Sequence, residues 1–311
     1  QRQMCIRDRC AAIEGYKSQK NKFNLPRLNN KIWKMDGSEA VATGAINSKL
    51  GLYVFYPMTP STKVADDLIK LQDKGKHKVF QSESELAVIN SAIGSSFTGC
   101  RTMIGTSGGG FDLMSEGISF QGMAEIPLVI YLASRTGPGT GVPTYTAQAD
   151  LNDALRTGHG EFPRIVIAPG DAIEAIEKTN EAFYLSEKFN SLSIILSDKH
   201  LAESQFSSNK KPKKPLMIPK RKITKEVFKI SSYEHDLQGN TAEDGSLIKL
   251  NAENRIKKIG EHLNAQPDEE IEGKGKVVLP GLINMHTHSA CLLYTSDAAD
   301  ELDGVDLGGS R

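Results

Sequence analysis

The chain has few cysteines, no surplus of either charge and no long apolar run. Its 311 residues carry 38 basic and 38 acidic side chains, so no overall field recruits nucleic acid or an anionic membrane. Without a membrane-length apolar run or a signal peptide, the expected location is the cytoplasm. No Cys-x-x-Cys pair occurs, so neither a disulfide framework nor an iron–sulfur cluster is supported. The four cysteines are Cys5, Cys10, Cys100 and Cys291.

The two ends of the chain are related at the level of DNA. The opening QRQMCIRDR can be encoded by a segment whose reverse complement, in a shifted frame, encodes CLLYTSDA at Cys291–Ala298. One transposon-type sequencing adapter would explain both peptides, and a natural polar tail is the alternative. Gln1–Arg9 and Cys291–Arg311 are therefore predicted to be translated adapter without a function.

Strand-type and helix-type segments alternate through the middle of the chain. The helix in STKVADDLIKLQDKG opens on Ser/Thr, has apolar residues at Val64, Leu68 and Leu71, and ends at Gly75. GGGFDLMSEGISFQGMAE and AQADLNDALRTG are each predicted to be one helix. This alternation predicts an α/β fold with a parallel sheet and helices on both faces. The predicted strands are LYVFYP, HKVFQS, RTMIGTS, PLVIYLAS, RIVIAP and LSIILSD.

Ligands of such sheets bind beyond the carboxyl ends of the strands, so the loops after strands are the candidates. Thr59 and Ser61 in YPMTPSTK could bind a ligand or simply cap a helix. Glu83 and Glu85 in FQSESE could be catalytic or favourable first-turn acids. GTSGGG could cradle an anion or form a tight turn. Arg135 in ASRTGPGTGVPT could bind a carboxylate or be structural.

Several segments, in this order, resemble one family. They are GSEAVATGAINSKLGLYVFYPMTPST, FQSESELAVINSAIGSSFTGCRTMIGTSGGGFDLMSEG, PLVIYLASRTGPGTGVPTYTAQADL, GHGEFPRIVIAPGD and LSDKHLAES. From Met35 to Asp244 the chain resembles the alpha subunit of 2-oxoacid:ferredoxin oxidoreductases, and the 2-oxoglutarate type most of all. The resemblance implies a thiamine-diphosphate pyrimidine-binding domain at 35–205, followed by a linker and the end of the match at 206–245. Residues 10–34 resemble the tail of an upstream gamma-type domain.

The resemblance also implies an activity shared with a second subunit. The family oxidises and decarboxylates a 2-oxoacid with coenzyme A, giving acyl-CoA, carbon dioxide and reduced ferredoxin. Thiamine diphosphate is shared with a beta subunit, which holds Mg²⁺ and the nearest 4Fe-4S cluster. An αβ or (αβ)₂ assembly is expected, without nucleic acid or membrane. The sequence agrees, since it has no Gly-Asp-Gly motif with a downstream Asn and no cluster cysteines.

Family positions carry over to particular residues. Glu83 matches the glutamate that hydrogen-bonds the cofactor's aminopyrimidine ring, a general acid–base role for which burial and a raised pKa would suit. Thr59 and Arg135 match positions that hold the substrate carboxylate. Glu85 is a weaker candidate, and His159 in GHGEF has no assigned role. The cofactor-binding backbone is expected at Thr106, Ser107 and Gly108.

A different pattern follows the alpha-type segment. Residues 246–290 resemble the start of an amidohydrolase, in which a barrel strand ends in a His-x-His metal motif. His286 and His288 match that pair, but the later ligands do not follow in this sequence. The pair is therefore predicted to be severed from its enzyme, and a chimeric join is expected near Asp244–Ser246. A metal-dependent amidohydrolase and a non-catalytic scaffold with a thiamine-type fold are the alternative functions. The sequence does not fix the 2-oxoacid.

Overall fold

The structure, a computed structural model, describes residues 2–18, 32–218, 231–260 and 283–284. The chain divides into two units, Gln1–Trp33 and Lys34–Arg311. The first unit contains helix α1, Arg2–Ser18, which runs across the predicted adapter boundary after Arg9.

A seven-stranded sheet forms the centre of the second unit. Its strand order is β3-β2-β4-β5-β7-β6-β9, and the neighbouring strands pair in parallel. β1 and β8 form a separate two-stranded sheet. The predicted parallel α/β architecture is confirmed. The strands are β1 (Trp33–Asp36), β2 (Leu52–Phe55), β3 (Lys78–Gln81), β4 (Thr102–Thr106), β5 (Leu128–Ser134), β6 (Arg164–Ile167), β7 (Leu192–Asp198), β8 (Gln205–Ser208) and β9 (Ile283–Asn284).

Helices connect the strands and cover the sheet. The long connections follow from parallel pairing, because each crossover has to return the chain to the opposite edge. The helices of this unit are α2 (Gly37–Asn47), α3 (Thr62–Lys70), α4 (Gln72–Gly75), α5 (Glu85–Phe97), α6 (Gly108–Leu113), α7 (Ser115–Met123), α8 (Leu151–Arg156), α9 (Ala172–Phe189), α10 (Lys199–Glu203) and α11 (Gly245–Gly260).

The core lies on both faces of the sheet. On one face, Ile89 of α5, Phe111 of α6 and Ile118 of α7 pack in one buried cluster with strand residues of β2, β4, β5, β6 and β7. On the other face, α9 contacts β5, β6 and β7 and crosses α2 closely. A Cβ atom at Gly44 of α2 would lie 2.6 Å from the Ile176 carbonyl oxygen of α9, so only glycine permits this crossing.

Three predicted helices differ from the structure. STKVADDLIKLQDKG forms α3 and α4, which are separated at Leu71. GGGFDLMSEGISFQGMAE forms α6 and α7, because the chain turns at the fully buried Met114. AQADLNDALRTG is helical only in α8. Its first residues are drawn away from helix by tertiary contacts, among them a 2.6 Å hydrogen bond from Gln148 Nε2 to Asp198 Oδ2.

Candidate functional site

The four candidate loops follow four adjacent strands and meet at one edge of the sheet. In the order β3-β2-β4-β5, the carboxyl ends of the strands lead to Glu83, Thr59, Thr106 and Arg135 respectively. The register aligns Phe55 of β2 with both Gln81 of β3 and Gly105 of β4. The structure therefore brings the predicted residues to the edge where parallel sheets bind ligands.

Glu83 projects into solvent in this chain. It lies before α5, whose N-cap is Ser84, with the Ser84 hydroxyl accepting a hydrogen bond from the Ala87 amide at 3.3 Å. The side chain of Glu83 is exposed, so the expected buried carboxyl is not found here, and the reading of Glu83 as a first-turn acid does not hold either. Glu85 is the first-turn acid of α5. An exposed carboxyl at this edge can still bind a ligand if a second protein surface covers the site.

Glu85 is buried under the glycine turn that follows β4. Its side chain is only 5% exposed. A Cβ atom added at Gly110 would lie 2.9 Å from Glu85 Oε1 and 2.3 Å from Thr106 Oγ1. The turn therefore packs so closely on these two side chains that only glycine fits at this position.

The glycine turn itself presents backbone rather than side chains. Ser107 occupies the N-cap position of α6 but makes no capping hydrogen bond. A Cβ atom at Gly108 would lie 3.2 Å from both carboxylate oxygens of Asp150, and one at Gly109 would lie 3.3 Å from the Gly139 carbonyl oxygen. None of the three glycines has a positive φ, so close approach, and not a left-handed turn, explains them.

Arg135 is held below this edge by the loop that carries Thr59. Its Nη1 donates to the Thr59 carbonyl oxygen at 2.9 Å, and its side chain is buried. The Thr59 side chain is exposed. Ser61 does not cap α3, as one alternative supposed, because its hydroxyl donates to the Met58 carbonyl oxygen at 2.7 Å. Thr59 and Arg135 therefore form one connected pair.

Asp150 is a member of the site that the sequence interpretation missed. It precedes α8, yet its side chain makes no capping hydrogen bond and instead lies against Gly108. Burial raises the pKa of its carboxyl and the charges of Asp153 and Asp112 add to this, whereas a hydrogen bond from Ser134 and the charge of Arg135 lower it. The sequence contained one clue to Asp150, because an Asp directly before LNDAL is typical of the start of a helix. This clue was not used, because the helix predicted in AQADLNDALRTG began before Asp150, whereas α8 begins at Leu151.

A protein-family profile matches residues 43–256 of the chain. Its description is pyruvate flavodoxin/ferredoxin oxidoreductase, thiamine diphosphate-binding. The chain belongs to this family. The match contains the whole glycine turn, Glu83 and Arg135, and it continues through the predicted join near Asp244–Ser246.

Relatives of this oxidoreductase family are alpha subunits. The chain is 40% identical over 235 residues to the 2-oxoacid:ferredoxin oxidoreductase subunit alpha of Saccharolobus solfataricus, which covers 71% of this chain and 36% of that protein. It is 38% identical over 173 residues to the 2-oxoglutarate synthase subunit KorA of Archaeoglobus fulgidus, covering 55% and 50%. The chain thus spans between about a third and a half of the length of these relatives.

A solved member of the family has the same fold. It is the 2-oxoglutarate:ferredoxin oxidoreductase from Magnetococcus marinus with 2-oxoglutarate, coenzyme A and succinyl-CoA bound. The TM-score is 0.74 at 28% sequence identity, and the alignment covers 86% of this chain and 52% of that chain.

The residues of this oxidoreductase-family chain fit a thiamine cofactor. Gly108 and Gly109 expose backbone where side chains would block an approach. Within the described part of the chain, Ser107 Oγ and Arg135 Nε are buried polar atoms without a hydrogen-bond partner. Glu83 offers a free carboxyl beside them on the same edge. Amide groups, one hydroxyl and one carboxyl are suitable partners for an aminopyrimidine ring.

His159 lies at the opposite edge of the sheet. It sits in the loop that enters β6, its side chain is exposed, and its amide donates to the Ser119 hydroxyl. Arg164 holds the same loop, since Nη1 donates to the Thr157 carbonyl oxygen at 2.5 Å and the guanidinium stacks on Phe162 at 4.2 Å. Burial lowers the pKa of Arg164 to about 10. Arg164 therefore has a structural role at this edge, and the exposed His159 lies at the opposite edge from the site above.

No group of three or more His, Cys, Asp or Glu side chains that could hold a metal occurs among the residues that the structure describes. His286 and His288 lie outside the described residues, so their predicted role as a severed metal pair stays a prediction. None of the helices in the described ranges is long and apolar enough to cross a membrane.

Proposed function

We propose that this chain is part of the alpha subunit of a thiamine-diphosphate-dependent 2-oxoacid:ferredoxin oxidoreductase. The proposed reaction is the oxidative decarboxylation of a 2-oxoacid, of the 2-oxoglutarate or pyruvate kind, with coenzyme A, to acyl-CoA, carbon dioxide and reduced ferredoxin. The observation that carries the proposal is the meeting of Glu83, the glycine turn, Thr59 and Arg135 at the carboxyl edge of four adjacent strands. The names of the relatives support the same reaction class.

Glu83 is the proposed acid–base residue. When bound, thiamine diphosphate supplies the nucleophilic carbon and the electron sink that decarboxylation of a 2-oxoacid requires. Glu83 would hold a proton on its carboxyl oxygen, within reach of the aminopyrimidine ring of a bound cofactor. Its exposure in the isolated chain fits a site completed by a second subunit. Enclosure by that subunit would remove water from around the carboxyl.

Thr59 and Arg135 are the proposed carboxylate-binding residues. The guanidinium is fixed by its bond to the Thr59 carbonyl oxygen and keeps N–H donors for an anion. A guanidinium binds a carboxylate by charge-assisted hydrogen bonds, which also fix the direction in which the substrate lies. The backbone of Thr106, Ser107 and Gly108 is proposed to hold the cofactor at close range.

The partner subunit is proposed to hold what this chain does not supply. A thiamine-binding beta subunit would carry the diphosphate, its Mg²⁺ and the nearest 4Fe-4S cluster, in an αβ or (αβ)₂ assembly. Apolar side chains at the carboxyl edge support a docking surface there, since Leu86 and Tyr145 are 48% and 68% exposed. A cytoplasmic location remains part of the proposal.

The test is reconstitution with a beta subunit of the same enzyme class. We expect coenzyme A-dependent reduction of ferredoxin with 2-oxoglutarate or pyruvate only when both subunits and thiamine diphosphate are present. Glu83→Gln keeps the size of the side chain but removes its proton transfer, so kcat should fall about 10²–10⁴-fold. Steady-state rates measured with ferredoxin or a viologen dye give the values.

Glu116→Gln is the matched control. Glu116 is an exposed glutamate on α7, so its substitution should leave kcat within about twofold. Full activity in Glu83→Gln would remove Glu83 from the mechanism. Tight association with a beta subunit but no turnover with any 2-oxoacid would instead favour a non-catalytic scaffold.

A further inference from the structure

The Asp150 carboxyl occupies an unusual position for a residue at the start of a helix. An aspartate before a helix ordinarily accepts hydrogen bonds from the first amides, and Asp171 does so before α9, at 2.8 and 2.9 Å. Asp150 makes no such bond before α8. Its side chain is turned into the protein and is 7% exposed. Helix capping therefore does not explain why an acid lies here.

Buried polar side chains surround the glycine turn. Asp150 lies against Gly108, the residue after Ser107, while Ser134 and Arg135 end the neighbouring strand β5. β4 and β5 pair in register up to Thr106 and Leu132, and continuing that register places Gly108, and with it the Asp150 carboxyl, beside Ser134. Within the described ranges, Ser107 Oγ and Arg135 Nε have no hydrogen-bond partner, whereas the Ser134 hydroxyl lies close enough to the Asp150 carboxyl to lower its pKa by a hydrogen bond. Such atoms are rare in folded proteins and call for a functional or structural cause.

Arg135 has one side anchored and one side without a partner in the described structure. The guanidinium is anchored at Nη1 by Thr59, and its Nε side carries no protein partner in the described part of the chain. The charge of Arg135 lowers the pKa of the Asp150 carboxyl, while Arg135 Nε and Asp150 Oδ2 have no hydrogen-bond partner in the described residues. The bond to the Thr59 carbonyl oxygen fixes one side of the guanidinium, and a nearby carboxylate would favour one orientation of the other side.

We propose that Asp150, together with the Ser134 hydroxyl, is a positioning residue that orients Arg135 for the carboxylate of the 2-oxoacid. This inference rests on the proposed function. Asp150 does not touch the substrate. It compensates the buried positive charge while it leaves the N–H donors of Arg135 free, because a direct ion pair would occupy the donors that the substrate needs.

The experiment uses the reconstituted complex with its beta subunit. Asp150→Asn removes the charge with little change of shape, so the KM for 2-oxoglutarate or pyruvate should rise about tenfold, as substitutions of supporting residues do. The kcat should stay within about twofold, and the KM for coenzyme A should not change. Glu116→Gln removes an exposed charge on α7 and should leave every constant within about twofold.

A double-mutant cycle separates positioning from a general structural role. If Asp150 acts through Arg135, Asp150→Asn should raise the KM far less when Arg135 is already replaced by Lys. Equal effects on both backgrounds, a lowered KM, or an unchanged KM in Asp150→Asn would each overturn the inference. Should Asp150→Asn fail to assemble, Ser134→Ala is the second variant, and an unchanged KM there would also overturn it.

The same assay keeps the two proposals apart. No 2-oxoacid turnover in the unaltered complex would overturn the proposed function and this inference together. Turnover in the unaltered complex, with no change of KM in Asp150→Asn, would overturn only the role of Asp150.

Discussion

At the scale of single residues, Gly105 on β4 lies in close contact with Tyr53 on β2. A Cβ atom at Gly105 would lie 1.9 Å from the Tyr53 hydroxyl oxygen and 3.0 Å from Cζ. The hydroxyl is buried without a hydrogen-bond partner among the described residues. Burial raises the pKa of Tyr53, and Tyr131 adds to this. The phenol is therefore neutral and occupies the space that a side chain at position 105 would need.

This contact predicts a destabilising substitution with a partial rescue. Gly105→Ala should lower the free energy of unfolding by about 1–3 kcal/mol, the usual cost of overpacking. Tyr53→Phe should be nearly neutral, since the hydroxyl that it removes makes no hydrogen bond in the described structure. In the double variant the loss should shrink but not vanish, because Cζ stays close. Urea unfolding of the three variants measures this, and additive losses would contradict the contact.

Single residues also show which features of the site could be predicted from the sequence and which could not. The loops were predictable, because β-branched runs such as LVIYL mark strands and the residues that follow them share an edge. The sequence SESE does not say which acid is buried, and packing decides it: Glu85 lies under Gly110 whereas Glu83 faces solvent. Asp150 was missed because its orientation depends on Gly108, which is distant in sequence.

At the scale of elements, short and broken pieces were the hardest to predict. The strand β8 has the sequence QFSS, which has no alternation strong enough to mark a strand, and it forms by pairing with β1. The turn at Met114 lets both Phe111 and Ile118 reach the core, a packing requirement that helical periodicity alone does not reveal.

Helix α11 bears on where the family segment ends. It begins at Gly245, in the predicted join, and Arg255 lies within it. Arg255 forms a bidentate pair with Glu234, with Nη1 to Oε1 at 2.8 Å and Nη2 to Oε2 at 3.0 Å. It also donates from Nε to Glu125 Oε1 at 3.2 Å. We therefore propose that the family segment extends at least to Arg255, in agreement with the range of the family match.

This ion cluster predicts a pH-dependent contribution to stability. Hydrogen bonds from Arg255 hold the pKa of Glu234 below its ordinary value of 4.5. A lowered folded-state pKa means that the stabilisation is fully present above pH 4.5 and is lost as pH falls through the folded-state value. Arg255→Gln should cost about 1–2 kcal/mol at pH 7, the range for bidentate charged hydrogen bonds at a partly exposed site. The difference from the unaltered chain should narrow below pH 4.5.

Urea unfolding midpoints across this pH range provide the measurement. Lys249→Gln is the control on the same helix, because the Lys249–Glu253 pair is 4.0 Å long and exposed. It should change stability by less than about 0.5 kcal/mol. If Arg255→Gln were as mild as the control at pH 7, α11 would not be part of the folded unit, and the join would belong near Asp244–Ser246.

At the scale of the whole molecule, the site is open on the side where the proposed function needs a partner. Glu83 and the apolar side chains of Tyr56, Leu86 and Tyr145 are exposed around the carboxyl edge. Phe97 is just as exposed as Leu86, at 48%, but it ends α5 at the opposite edge. Leu86 and Phe97 lie at opposite ends of the same helix, so comparing their protection shows at which edge a partner binds.

Binding of a beta subunit should therefore protect one end of α5 and not the other. Backbone amides near Leu86 and Tyr145 should exchange hydrogen more slowly in the complex, whereas those near Phe97 should not change. The complex should also unfold at a higher temperature as the beta subunit concentration rises, because a partner that binds only the folded state stabilises it by mass action. Hydrogen-exchange mass spectrometry with and without the beta subunit gives the answer. Protection around Phe97 alone would place the partner at the edge that carries His159 and would leave Glu83 open to water, which is incompatible with the shared site.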